Sequence, residues 1–343
     1  MHDVAQESIT VILATYNEEN MIARCLTSLR QQVLPGFMLQ ILVVDGGSTD
    51  KTRDIVAAQI KEDPRIQLEI NHKREIPFAW NLGLSHSTAK YVCIFGAHNV
   101  YESNYISECI RELQTQSNVA GCSGRVITIA ADDTLSSKLA AWAMSHPFGS
   151  SGKSFRTQRE GKVDSPAFPV FLRKALVEIG GYDERLYRNE DNDMSRRLLA
   201  AGFELRCTWK TTCNYRAKKN VSELCRYGFR NGFWNFIGFR TDRATMKIRH
   251  FVPLAFVVGL IASAVLAALV PILHLPRWIA LPFFFIMGSH LLAGTVSSLL
   301  VGLRCRTFRT ALLPLVFLAF HISYGTGTLW SIVNHAQSPE VHH

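Results

Sequence analysis

The sequence predicts an α/β protein: a mostly parallel, doubly wound sheet in its first two-thirds, followed by membrane-spanning helices. Two observations carry this. Short β-branched runs alternate with amphipathic stretches from Ile9 to Phe95, the rhythm of strand–helix–strand units. Downstream, Phe251 to Leu273 carries no charge, and Trp278 to Leu303 and Ala311 to Val333 contain no Asp, Glu, Lys or Arg and one histidine each, His290 and His321. Each run is long enough to cross a hydrocarbon core of about 30 Å as a helix. Buried helices of a soluble core are the competing reading, and three such runs joined by short loops argue against it.

The elements follow in order. Ile9 to Ala14 (ITVILA) reads as a buried strand, closed by the polar turn Thr15-Tyr16-Asn17-Glu18-Glu19-Asn20. Met21 to Gln32 has helical spacing at Ile22, Leu26 and Leu29. Leu39 to Val44 is a second strand, ended by Asp45-Gly46-Gly47-Ser48, and Lys51 to Ile60 a second helix. Ile66 to Ile70, Pro77 to Ser87 and Tyr91 to Phe95 read as strand, helix and strand. In such sheets ligands sit beyond the carboxyl ends of the strands, which directs attention to the loops after Ala14, Val44 and Phe95. Further on, Arg125 to Ala130 reads as a strand, Leu135 to Met144 as a helix, Pro147 to Lys162 as a Gly/Ser-rich loop and Ala175 to Ile179 as a short helix. Asn192 to Ala201 reads as a helix, with Glu190 and Asp191 at its opening, where the helix dipole favours carboxylates.

These elements divide the chain into 1–205 (in two parts, 8–120 and 121–205), a basic and aromatic segment 206–250, three spans (251–273, 278–303 and 311–333, within 251–335) and a tail, 336–343. The net charge of +9 concentrates in the second part: Arg206 to Arg249 holds eleven Lys or Arg against Glu223 and Asp242. Anionic headgroups attract such a segment when it adjoins a span. Nucleic acid would also attract it, but no nucleic-acid motif accompanies it. Ser222 to Arg240 interleaves aromatic residues with Arg226, Arg230 and Arg240, as in a helix lying in the membrane interface; a plain core helix shares this stripe. Arg304, Arg306 and Arg309 follow the second span while only Arg277 follows the first. By the bias of basic loops this puts the N-terminal domain in the cytosol and the tail outside. Met1 to Ser8 is polar and leads straight into a strand, unlike a signal peptide. The eight cysteines show no C-x-x-C pair and read as reduced thiols.

Local chemistry leaves several readings open. Asp45 can accept hydrogen bonds from a ribose or base, and Asp-Gly turns also simply end strands. No G-x-G-x-x-G follows the first strand, which argues against a dinucleotide oxidoreductase. His98, at the end of the YVCIF strand, can ligate a divalent cation or serve as an ordinary hydrogen-bonded side chain. Glu190 and Asp191 have the character of a general base and its neighbour, and equally of an acidic helix cap. Three spans without intramembrane charge give a transporter little to work with; His290 and His321 read as bundle-facing residues.

Taken together, several segments resemble the inverting family 2 glycosyltransferases of the GT-A fold, over about residues 8 to 205. ITVILATYNEE resembles the family's first strand and turn, VVDGGSTDKT its nucleotide loop, FAWNLGL its N-x-G helix and GGYDERLYRNEDNDMSRRLLAAG its acceptor-side stretch. NHKREIP, HPFGSSGKSFR and HISYGTGTLW are similar to the succinoglycan-biosynthesis branch of exopolysaccharide glucosyltransferases. The resemblance implies a nucleotide-sugar half, 8–120, an acceptor half, 121–205, and Asp191 as catalytic base beside Glu190. It implies nucleotide-sugar contacts at Thr15, Tyr16, Asn17, Glu18, Asp45, Gly46, Lys73, Asn81 and Ala97. It further implies a divalent cation (Mn2+ or Mg2+) at His98, a polyprenyl-linked saccharide acceptor met by Arg230 and Trp234, and a place in a bacterial-type inner membrane. Two departures stand out. Gly46 replaces the second carboxylate of D-D-G-S, and Gly96-Ala97-His98 replaces D-x-D, where the succinoglycan-like branch has D-A-H. A catalytically impaired homologue with a binding or scaffolding role is the alternative those departures raise. RYGFRNGFWN stands where processive synthases carry Q-x-x-R-W, which favours transfer of a single sugar.

Overall fold

The computed structural model describes residues 7–152, 154–186, 189–241 and 248–334. These fall into two compact units: residues 7–127 with 158–216, and residues 128–157 with 217–334. The polar start before Glu7 and the tail 336–343 lie outside the described residues.

The first unit is built on one sheet. In chain order its elements are β1 (Glu7–Thr15), α1 (Ile22–Arg30), β2 (Phe37–Asp45), α2 (Thr52–Glu62), β3 (Ile66–Ile70), α3 (Ile76–His86), β4 (Tyr91–Gly96), β5 (Asn99–Tyr101), α4 (Tyr105–Leu113) and β6 (Val119–Ile129). After a helix pair of the second unit, α5 (Leu135–Ser145) and α6 (Pro147–Ser150), come β7 (Gly161–Lys162), β8 (Val170–Leu172), α7 (Arg173–Glu178), α8 (Glu190–Ala200) and β9 (Glu204–Arg216). The strand order is β3-β2-β1-β4-β8-β6-β9-β5, with β7 on β9. The β3-β2-β1-β4 half is parallel, as the alternation predicts, so Thr15, Asp45 and Gly96 end at one edge. The other half is antiparallel where β8 joins β4 and β6, and where β5 and β7 join β9.

The parallel half is apolar because both of its faces are covered. Ile12, Leu42, Val44, Val92 and Ile94 are buried with Ala79 and Leu84 of α3, and with Leu176, Met194 and Leu198 of α7 and α8. Gly83 makes this packing feasible: a Cβ there would lie 2.4 Å from Ile12 Cγ2. The glycine of the FAWNLGL stretch therefore lets α3 lie against β1.

Three elements differ from the expectation. Arg125 to Ala130 is only the end of β6, which begins at Val119. The Gly/Ser-rich loop 147–162 contains the single turn α6 and the short β7. A boundary at 205 would cut β9, since Arg206 to Arg216 continue the sheet. Periodicity missed this last strand because Arg206, Lys210 and Arg216 interrupt its apolar residues.

The second unit holds α5, α6, α9 (Val221–Thr241), α10 (Val252–Ile272), α11 (Leu281–Cys305) and α12 (Leu313–Val333). Three segments, Ile248–Ile272, Arg277–Cys305 and Phe308–Val333, are long and apolar enough to cross a membrane, with mean hydropathies of 2.6, 1.7 and 1.4. Side chains such as Leu266, Phe285, Leu292, Leu299 and Leu315 stand exposed on them, the pattern of lipid-facing helices. Between the two competing readings of Ser222 to Arg240, α9 packs on α12 through small residues. A Cβ on Gly232 would lie 2.1 Å from the Tyr324 carbonyl, and one on Gly327 2.1 Å from the Phe229 carbonyl. Close helix approach of this kind needs glycine on both sides.

Candidate active site

The loops after β1 and β2 are zipped together by their own polar groups. Gly46 N donates to the Thr15 carbonyl at 2.8 Å, Asn17 N to Ser48 Oγ at 2.9 Å, and Glu18 N to Thr52 Oγ1 at 2.8 Å. Asn17 sits at φ +52, a left-handed position that asparagine tolerates, and its Oδ1 accepts from Thr49 N at 2.8 Å. Thr15 is buried while Tyr16 is exposed at the rim.

Asp45 is fully buried. Its carboxylate accepts from Gly47 N at 3.0 Å, Ser48 N at 2.9 Å, Ser48 Oγ at 2.5 Å and Thr15 Oγ1 at 3.4 Å. The protein's own donors use up its lone pairs, so its part is to shape the loop. Gly46 has ordinary space around it: the nearest atom to an added Cβ is the Thr15 carbonyl oxygen at 3.5 Å. The carboxylate missing there is a chemical difference, not a steric one. Lys73 is exposed beside this loop, its ammonium 5.9 Å from the Phe78 ring centroid.

After β4, Ala97 is buried and His98 points back at the first loop, with Nδ1 3.3 Å from Glu18 Oε1. The imidazole meets Tyr215 edge-on at 5.6 Å, and Phe168 stacks on Tyr215 at 6.2 Å. Gly96 is tightly walled: a Cβ would lie 3.0 Å from Asn99 Nδ2 and 3.2 Å from Phe168 Cε1. Here the lost carboxylate has a steric counterpart, because Asn99 and Phe168 occupy its surroundings. Among the described residues no group of three or more His, Cys, Asp or Glu could hold a metal ion. The Glu18–His98 pair offers two donors of mixed type. That suits a divalent cation that completes its coordination from substrate phosphates and water.

The opening of α8 sorts its three acidic residues by environment. Asp193 is buried and clamped, with Arg196 Nη2 and Arg197 Nε each at 2.7 Å. Asp191 is exposed; its Oδ1 accepts from Asn192 N at 2.7 Å, and it forms no ion pair with any described residue. Surrounding protein nonetheless disfavours its charged form, pushing its pKa up, with the Asn192 N–H only partly offsetting this. Glu190 is half-buried beside it, and both carboxylates face the buried Tyr182 phenol, whose pKa burial and these two anions push well up.

Asn81 also has partners within the protein. Its amide is spent inside the protein: Oδ1 accepts from Tyr182 N at 2.8 Å, and Nδ2 donates to the Tyr182 carbonyl at 2.8 Å and to Glu184 at 2.9 Å. It pins the Gly-Gly-Tyr turn to α3, while Trp80 packs on Tyr182 with centroids 4.6 Å apart. The structure thus gathers Thr15 to Glu18, Asp45, Gly46, Ala97 and His98 at one sheet edge, and uses Asp45 and Asn81 as scaffolding. Tyr182, Trp80, Phe168 and Tyr215 are neighbours that sequence reasoning passed over. Of these, Tyr182 carried a signal in its place in GGYDE, and Trp80 in its place in FAWNLGL. Arg230 and Trp234 belong to the second unit, on α9; Arg230 is exposed and Trp234 packs edge-on against Phe233 at 5.5 Å.

A parallel half-sheet with its loops zipped at one edge, joined to an antiparallel half, is the GT-A arrangement. The family model "Glycosyl transferase family 2" matches residues 10–180, about half of the chain, and the chain belongs to that family. It is similar to the succinoglycan biosynthesis protein ExoA of Rhizobium meliloti, 27% identical over 72% of each chain. It is also similar to a dolichyl N-acetyl-α-D-glucosaminyl phosphate 3-β-D-2,3-diacetamido-2,3-dideoxy-β-D-glucuronosyltransferase of Methanococcus voltae, 26% identical over 92% of this chain and 95% of that one. Among solved structures, the mannosyltransferase PcManGT of Pyrobaculum calidifontis, in complex with GDP-Man and Mn2+, shares the fold at a TM-score of 0.56 and 19% identity, over 96% of this chain and 90% of that one.

Proposed function

We propose that this family 2 glycosyltransferase moves one sugar, with inversion, from a nucleotide-sugar donor to a hydroxyl of a polyprenyl-linked saccharide. The observation that carries the reading is the difference between Asp191 and Asp193 on one helix turn. Asp193 is spent on two guanidiniums, whereas Asp191 keeps a solvent-facing carboxylate with a raised pKa. A general base works best when its pKa approaches the operating pH and its oxygen can reach the proton it removes. Asp191 takes the proton of the acceptor hydroxyl as that oxygen attacks the anomeric carbon from the face opposite the leaving nucleoside diphosphate, and the configuration inverts. Glu190 flanks the base and holds a neighbouring hydroxyl of the acceptor.

The loops zipped around Asp45 form the floor for the nucleoside, with Asn17, Glu18 and Lys73 at its rim and Asn81 bracing the acceptor side. The Glu18–His98 pair would hold a divalent cation, which when bound offsets the negative charge of the diphosphate. Three membrane-spanning helices on the same chain, and a relative named for a dolichyl-phosphate sugar substrate, support a lipid-borne acceptor. The distribution of arginines between the span-connecting loops supports a cytoplasmic catalytic unit in a bacterial-type inner membrane, with the tail outside. The test is transfer from a panel of nucleotide-sugars to extracted polyprenyl-linked saccharides, with the anomeric configuration of the product read by NMR. A retained configuration, or no loss of transfer in Asp191→Asn, refutes the mechanism.

A second reading has one observation behind it: Gly96, walled by Asn99 and Phe168, in place of a carboxylate. On that reading the chain binds nucleotide without turnover, and the same panel would give nucleotide binding and no product.

A further inference from the structure

The second unit carries a cationic cluster built around a phenol of α9. The loop leading out of α6 folds on itself, with Thr157 Oγ1 donating to the Ser151 carbonyl at 2.6 Å and Thr157 N to the Ser154 carbonyl at 2.9 Å. This holds Arg156 in hydrogen-bonding contact with Tyr227, and Asn231, one turn along α9, bonds to the same phenol. Lys218 Nζ stands 4.9 Å from the centroid of the Tyr227 ring. Burial pushes the Tyr227 phenol up, but the Arg156 charge, the Asn231 hydrogen bond and the Lys218 charge outweigh it and bring it below its ordinary value. A half-buried phenol shifted downward reports a positive potential, the condition for holding an anion.

The cluster adjoins a membrane helix. Asn235 Nδ2, one turn beyond Asn231, donates to Tyr324 Oη of α12 at 2.5 Å. The Tyr324 hydroxyl lies within electrostatic reach of Tyr227 and of Arg249. Gly228 and Gly232 keep α9 against α12, where a Cβ on Gly228 would meet the Phe320 ring at 2.8 Å. Cations and amides are thus fixed beside a helix long and apolar enough to cross a membrane, where a lipid-borne phosphate can be bound.

We propose that Arg156, Lys218, Tyr227 and Asn231 bind the phosphate of the polyprenyl carrier that bears the acceptor saccharide. The proposal deepens the lipid-linked acceptor reading and rests on it. The guanidinium and ammonium supply charge-assisted hydrogen bonds to phosphate oxygens, and the amide a further neutral donor.

The test uses the full chain in phosphatidylcholine nanodiscs, with a polyprenyl diphosphate as probe and binding measured by native mass spectrometry. Arg156→Gln and Lys218→Gln should each weaken binding about tenfold or more, as loss of one charge-assisted bond does. Arg156→Lys should recover most of the affinity, and Tyr227→Phe should weaken it less. Nucleotide binding followed by thermal shift verifies that each variant is folded. Unchanged affinity in both Gln variants overturns the proposal. Competition by phosphatidylglycerol at equal mole fraction would identify an ordinary headgroup site and overturn it too, as would equal competition by inorganic pyrophosphate, which has no chain. Loss of lipid binding in these variants, together with undiminished transfer in Asp191→Asn, would uphold this site while refuting the catalytic assignment.

Discussion

Asp191→Asn and Asp193→Asn, two residues apart on α8, should fail in opposite ways. At 191 the substitution removes the ionisable oxygen and nothing else: the carboxamide oxygen can still accept from Asn192 N, and no described ion pair is broken. General-base catalysis is worth about 10²–10⁴ in rate, or about 3–5 kcal/mol of barrier. The Asp191→Asn variant should therefore lose about that factor in kcat, with its Tm and nucleotide affinity unchanged. At 193 the substitution leaves Arg196 and Arg197 facing a neutral amide. Breaking a buried pair costs about 3–5 kcal/mol. Here the guanidiniums are 42% and 25% exposed, and Arg197 also donates to the carbonyls of Ile179 and Gly181 at 2.9 and 2.8 Å. A loss of about 2–3 kcal/mol follows, or about 4–12 °C in Tm for a unit of this size, with residual activity per folded molecule. The assay pairs steady-state transfer with differential scanning fluorimetry. If Asp193→Asn abolishes turnover at unchanged Tm while Asp191→Asn remains active, the assignment of the base is wrong.

Four further outcomes follow from the same geometry. The acid limb of kcat/KM should fall above the ordinary aspartate range, because Asp191 must be ionised and its pKa is raised; a limb at or below that range removes Asp191 from the rate law. Asn81→Ala frees the Tyr182 turn, so kcat should fall at least about tenfold with KM for the nucleotide-sugar little changed; a pure KM effect would make Asn81 a donor contact. Gly83→Ala should destabilise the first unit by about 1–3 kcal/mol through the clash with Ile12, and Ile12→Ala should recover part of that loss in the double variant, as read by urea unfolding. Arg185 holds the Asp183 carboxyl down at about 2, so its stabilising effect is complete above the ordinary value and is lost as pH falls. The Tm gap between the wild type and Asp183→Asn should accordingly close between about pH 4 and pH 2.

The parallel half of the sheet was legible because β1, β2 and β4 are largely buried on both faces and read as nearly unbroken apolar runs. The antiparallel half was not. β8 is three residues long, and β9 mixes Arg206, Lys210 and Arg216 with buried Cys207 and Cys213, so neither shows a clean period. At the site, spacing located the loops, but residue type could not assign work within them. Nothing local in DGGS says that Asp45 has its oxygens filled by Gly47, Ser48 and Thr15, and nothing in N-x-G says that the amide of Asn81 reaches a turn a hundred residues away. The Glu18–His98 approach joins the ends of two strands that are neighbours only once β1 and β4 pair.

Three aspartates in this unit illustrate the physics that separates scaffold from chemistry. Asp45 receives four hydrogen bonds, three from its own loop and one from Thr15, and is fixed as part of the loop's shape. Asp193 receives two guanidiniums and ties α8 to the Gly-Gly-Tyr turn through Arg197. Of the three, Asp191 alone is left with a lone pair toward solvent and an environment that resists its charge. A carboxylate whose oxygens are already held by fixed donors has no lone pair free to reach a substrate hydroxyl. One that the protein leaves under-stabilised gains from taking a proton, and this shortfall is the driving force a hydroxyl nucleophile requires. Placing an arginine beside Asp191, as in Asn192→Arg, should therefore depress its pKa and slow transfer even with the aspartate intact. A variant of that kind with a lowered acid limb and unimpaired turnover at neutral pH would show that proton affinity at this position is not what drives the reaction.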